Sequence, residues 1–209
     1  MKEKIIERKN YNSPWSLKFN TAALVLIPAA VGINYIGKLF AGVLKLPLWL
    51  DSIGTCLAAC LAGPVVGAIA GAANNLIYGL TMDPISTVYA LSQAALGIVV
   101  GLMSYYGRMK NLRGTILTGV LAGLAAVIVS TPLNMMFWGG TTGNLWGDIV
   151  YAGALSQGLP AWIASTADEI VVDLPDKIVV LLLVAGLYRG FPKSILSLYQ
   201  SNSKIESLD

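Results

Sequence analysis

Residues 50–80 read LDSIGTCLAACLAGPVVGAIAGAANNLIYGL, and this stretch decides the fold. It is almost wholly apolar, crowded with small residues, and broken once, at Gly63-Pro64. At helical spacing Ala59, Gly63, Gly67, Gly71 and Asn75 fall four apart. Small residues at every fourth position form a flat strip on which another helix can approach closely, as in membrane proteins. Proline suits the first turn of a new helix, so Gly63-Pro64 marks a sharp reversal. The expectation is two helices, 51–62 and 64–80, joined by a very tight turn. The strip serves either packing within the chain or contact with another subunit.

Composition extends this reading to all 209 residues. The chain is 56% hydrophobic and 12% charged, with mean hydropathy +0.68. Soluble domains carry roughly 25% charged residues. The chain reads as an all-α integral membrane protein with room for about six crossings of ~20 residues. The apolar run after the first basic residues is too long for a signal-peptide core, so no cleavable leader is expected. The chain has no histidine. That removes Ser-His and Cys-His nucleophile pairs, most zinc sites and His-ligated haem. No P-loop motif is present, so ATP is not bound that way. No enzyme activity, cofactor or metal is expected. Cys56 and Cys60 share one helical face and read as small packing residues.

The further helices are expected at 17–44, 85–106 and 115–137, with a last one from Ala161 kinked near Pro175. Residues 138–160 are too broken by glycine to cross a membrane and read as a loop, with a short helix around 148–155. Residues 1–16 form an N-terminal segment, 17–190 a six-helix membrane domain and 191–209 a polar tail. Lysine and arginine set the orientation. One side receives eleven: Lys2, Lys4, Arg8, Lys9, Lys18, Arg108, Lys110, Arg113, Arg189, Lys193 and Lys204. The other receives three: Lys38, Lys45 and Lys177. Both termini are therefore expected in the cytoplasm, with 45–50, 81–84 and 138–160 facing outward.

Polar residues gather at that outward end. A charge at mid-bilayer costs roughly 2.5–3.5 kcal/mol on insertion scales, so such residues usually face a cavity or a partner. Asp51 suits the N-cap of the second helix, while Glu169, Asp173 and Lys177 share one face of the last. An outward pocket is expected, with Trp49, Tyr78, Tyr89, Phe137 and Trp138 as aromatic lining. The candidate substrate-binding residues are Trp49, Asp51, Asn75, Tyr78, Asp83, Gln93, Asn134, Trp138, Glu169, Asp173 and Lys177. Seven outward carboxylates (Asp51, Asp83, Asp148, Asp168, Glu169, Asp173, Asp176) face those three lysines and no arginine. A negative potential of this kind concentrates cations and repels anions. Helix N-termini at Asp51 and Ile85 could still serve one anionic group. The ligand expected is a neutral or cationic heteroaromatic compound.

LPLWLDSIGT (46–55) followed by LAGPVVGAIAGAANNLIYGL (61–80) resembles the substrate-binding S components of energy-coupling factor (ECF) transporters, as does DKIVVLLL (176–183). The resemblance covers size, six helices and cytoplasmic termini. It implies a multi-pass subunit of a bacterial cytoplasmic membrane that binds a water-soluble vitamin or related micronutrient from outside. It further implies partners: a transmembrane coupling subunit and two ABC ATPases. In that family the first three helices face the coupling subunit. On this chain the corresponding surface would be Ala22, Ala30, Ala59, Gly63, Gly67 and Gly71. The Ala-xxx-Ala docking pattern of many members is absent here, since Leu26 and Ile27 follow Ala22 and Ala23 four positions on. The alternative is a stand-alone facilitator or channel. Such carriers often show repeated halves, and no convincing internal repeat is seen.

Overall fold

The structure, a computed structural model, describes residues 13–15 and 21–200. Most of the expected N-terminal segment, and the tail beyond residue 200, lie outside the described residues. Eight α-helices follow in order: α1 Thr21–Val43, α2 Ile53–Ala62, α3 Pro64–Thr81, α4 Ala90–Tyr105, α5 Leu112–Phe137, α6 Leu145–Ser156, α7 Ala161–Gly190 and α8 Lys193–Gln200. Among the described residues there is no strand. Among the described residues two helices, α1 and α5, are long and apolar enough by composition to cross a membrane.

The break at Gly63-Pro64 stands where the sequence places it. Gly63 adopts φ +91°, and Pro64 is the first residue of α3. The small residues let helices touch backbone to backbone. A Cβ on Gly67 would lie 2.5 Å from the Ala59 Cβ and 3.1 Å from the Gly97 carbonyl oxygen. One on Gly71 would lie 2.7 Å from the Gln93 carbonyl oxygen. The strip thus seats α3 against α2 and α4. Ala30, Ala59, Gly67 and Gly71 are all buried inside the bundle. Packing within the chain therefore occupies this part of the strip. Ala22 and Gly63 stay partly exposed.

Two boundaries differ from expectation. Helix α4 begins at Ala90, not at Ile85, because residues 84–87 form a 3-10 turn. The Asp83 carboxylate holds that turn, accepting from the Ile85 N–H at 3.2 Å and the Ser86 hydroxyl at 3.1 Å. The short helix expected around 148–155 in the glycine-rich stretch 138–160 is longer, α6 at Leu145–Ser156, and is capped by the Asn144 side chain on the Trp146 N–H. The last helix agrees with expectation: α7 starts at Ala161 and continues as one helix through Pro175, whose ring is on the exposed side.

Helix α7 packs on α5 and α6, and α3 packs on α4 and α2. A buried amide places α2. Asn34 on α1 accepts the Gly54 and Thr55 N–H groups at 2.7 and 3.3 Å and donates to the Thr55 hydroxyl at 2.8 Å. It therefore satisfies N-terminal donors that a helix leaves unpaired. The bundle has two distinct ends. At one, the Trp146 indole donates to the Lys45 carbonyl and Lys38 donates to Ser86. At the other, Arg189 reaches the Lys110 carbonyl and Cys60 lies 3.4 Å from the Met109 sulfur.

Candidate functional site

The helix α7 that carries DEIVVDLPDK buries every ionisable side chain in that run: Asp168, Glu169, Asp173, Asp176 and Lys177. Burial of charge is tolerated only with partners. Lys177 is the organiser. Its ammonium lies 2.6 Å from Asp176, 2.9 Å from Asp173 one turn away, and 3.9 Å from Asp51 at the start of α2. Asp176 turns its other oxygen to the backbone, accepting from the Trp49 and Leu50 N–H groups at 3.1 and 2.9 Å. Leu50 is held there at φ +51°, a left-handed backbone uncommon for a branched side chain. Gln93 on α4 completes the arrangement by donating to Asp51 at 3.0 Å.

Above this cluster opens a cavity of about 250 Å³. Eight expected residues line it: Trp49, Asp51, Asn75, Asp83, Gln93, Glu169, Asp173 and Lys177. Three do not. Tyr78 stands behind the wall, where the Lys38 ammonium lies 4.3 Å from its ring centre. Asn134 is fully buried and acts as a bridge, donating to Glu169 at 2.5 Å and accepting from the Tyr89 hydroxyl. Trp138 packs on Phe137, and neither lines the cavity. Asp168 is likewise behind the wall, accepting from the Thr142 hydroxyl at 2.9 Å.

Several lining residues were outside the expected set. Lys38 enters from α1 and donates to Ser86 at 2.8 Å, and Ser86 in turn donates to Asp83. Its place in the second half of an apolar helix was the one available signal. Ser92 and Ser130 face one another at 2.8 Å, and Leu96 and Ala126 supply the apolar wall. Thr142 and Gly143 come from the α5–α6 loop, which Asp148 ties down by accepting both of their N–H groups at 3.1 Å. Short polar side chains in apolar helices are too common for sequence alone to single these out.

The charged lining comprises Asp51, Asp83, Glu169 and Asp173 against Lys38 and Lys177. Both lysines are engaged, so the wall offers acceptors rather than free cations.

A search of the curated proteins found no match, and a search of the solved structures found none. The family model described as ECF transporter, substrate-specific component matches residues 22–198. That match spans the whole helical bundle, including every residue of the cavity wall, and the chain belongs to the substrate-specific components of ECF transporters, membrane subunits that bind a transport substrate rather than enzymes.

Proposed function

We propose that the chain captures a water-soluble vitamin or related micronutrient on the outer face of a bacterial cytoplasmic membrane. It delivers the ligand inward when docked on a coupling subunit energised by two ABC ATPases. Both termini are cytoplasmic and the cavity opens outward. Six crossings are made by α1 to α5 and α7. Helix α2, with ten residues, rises only about 15 Å, so the irregular segment 44–52 completes its passage.

The ligand is a neutral or cationic heteroaromatic compound. The observation that carries this reading is the imbalance of the cavity wall, four carboxylates against two engaged lysines. Such a wall repels polyanions and favours cations or N–H donors. Trp49 and Tyr89 supply flat faces for a ring.

Two measurements test the proposal. Affinity purification from native membranes should recover a larger coupling subunit and two ATPases. Calorimetry with vitamins and nucleosides at low and high salt should find tight binding of an uncharged or cationic member. Nanomolar binding of folate or thiamine diphosphate, weakened by salt and by Lys177→Ala, would overturn the ligand class. Uptake by liposomes holding this chain alone would overturn the dependence on partners and favour a facilitator.

A further inference from the structure

A second cavity, of about 360 Å³, adjoins the first. Lys38, Trp49 and Gly143 line both and form their common wall. The second is closed by Lys45 and Leu48 from the segment before α2, Tyr78 from α3, and Asn144 and Leu145 at the start of α6. The two cavities differ in charge. Four carboxylates line the first, and none lines the second. Lys38 and Lys45 are the charged residues of the second, and neither forms an ion pair among the described residues. Asp51 and Asp83 partly offset Lys38 from the side of the first cavity, so Lys45 is the freer charge.

The second cavity is also rich in unspent donors. Tyr78 is 9% exposed, and its hydroxyl has no hydrogen-bond partner among the described residues. Asn144 is 8% exposed, and its carbonyl oxygen accepts from the Trp146 N–H, which leaves its Nδ2 free. Lys38 gives one N–H to Ser86 and rests its ammonium 4.3 Å from the Tyr78 ring centre. Buried polar groups are as a rule paired, so two unpaired donors on one cavity wall point to an occupant. The start of α6 adds the partial positive charge of a helix N-terminus. Asp148, in the first turn of α6, turns its carboxylate to the Thr142 and Gly143 N–H groups and is not part of this wall.

We infer that the second cavity is an oxyanion site, which takes a carboxylate or phosphate carried as an arm by the ligand whose ring lies in the first. This rests on the reading of the chain as a ligand-capture subunit, and it makes that ligand a zwitterion. The positive ring meets the carboxylates of the first cavity, and the arm meets Lys45 and Lys38. Hydrogen bonds from an ammonium to an oxyanion are charge-assisted and about twice as strong as neutral ones. Tyr78 and Asn144 fill the remaining lone pairs of the arm. Trp49, common to both cavities, stands where ring and arm join.

The test uses the full chain in phosphatidylcholine nanodiscs and three matched pairs. They are nicotinamide riboside and its mononucleotide, pyridoxamine and its 5′-phosphate, and 1-methylnicotinamide and its carboxylate analogue trigonelline. The second of each pair carries the oxyanion. Calorimetry at low salt should show at least one of these binding roughly tenfold or more tighter than its mate. High salt should shrink that gain. Lys45→Gln, at an exposed residue outside the first cavity, should remove most of the gain and leave the arm-free member bound as in wild type. If Lys45→Gln does not fold, Tyr78→Phe keeps the ring under Lys38, deletes only the hydroxyl, and should lose severalfold of the gain. Equal or tighter binding of the arm-free members, or a gain that survives the folded variant, overturns the inference. Inorganic phosphate is titrated in parallel. Lys45-dependent binding of phosphate with no preference for the arm assigns the cavity to a free anion and also overturns it. Binding of an uncharged vitamin, with every arm-bearing compound silent, leaves ligand capture standing and removes this inference. If none of the six compounds binds, the inference falls, and recovery of the coupling subunit and ATPases judges ligand capture alone.

Discussion

Asp176 accepts the backbone N–H of Leu50 at 2.9 Å, across 126 residues of chain. The same oxygen takes the Trp49 N–H, and the other lies 2.6 Å from Lys177. One buried carboxylate therefore joins α7 to the segment that leads into α2, and sets Trp49 and Asp51 at the cavity.

Removing that carboxylate should unseat the cavity wall. Asp176→Ala strands two N–H groups, one on the buried Leu50, and deprives Lys177 of its nearest counter-charge. Breaking a buried pair from one side costs about 3–5 kcal/mol. Asp176→Asn retains an acceptor for the backbone and should lose less. Thermal unfolding in detergent ranks the two, and an Asp176→Ala protein that melts with wild type refutes the tie.

Burial of the small-residue strip changes what its mutants should do. Gly67→Leu and Gly71→Leu drive a side chain into Ala59 and into the Gln93 backbone. Overpacking of this kind costs typically 1–3 kcal/mol, and displacing Gln93 also disturbs Asp51. Both variants should lose stability and ligand binding together. Gly42→Leu is the control, since nothing lies within 4 Å of its added Cβ. Normal stability and binding, with assembly alone impaired, would return the strip to a docking role.

Orientation is testable by labelling. With Cys56 and Cys60 replaced, a single cysteine at Thr142 should react with an impermeant maleimide added to intact cells. One at Lys110 should react only after the membrane is opened. The reverse pattern would place the cavity mouth in the cytoplasm.

Residues 50–80 made much of the fold legible. The Gly63-Pro64 break, the small residues and the apolar runs are local signals, and α2, α3 and α5 end where those signals say. Local competition misplaced other boundaries. Asp83 holds a 3-10 turn over residues 84–87 where a helix was expected to start at 85, and the short helix expected around 148–155 already begins at Leu145, past the glycines at 139, 140 and 143.

Composition, hydropathy and residue types in the last helix determined by themselves that the chain is apolar and helical, and that its carboxylates needed partners. They could not assign those partners. Charge pairing depends on distance in space, and Lys177 meets Asp51 only because α2 and α7 pack side by side. Lys38 reached the cavity, and Asn134 and Tyr78 slipped behind its wall, by rotations about helix axes that no local pattern encodes. The flat glycine strip was readable as a place of close approach. That it meets α2 and α4 of its own chain was decided by tertiary packing, because any backbone of the right shape satisfies a strip without side chains.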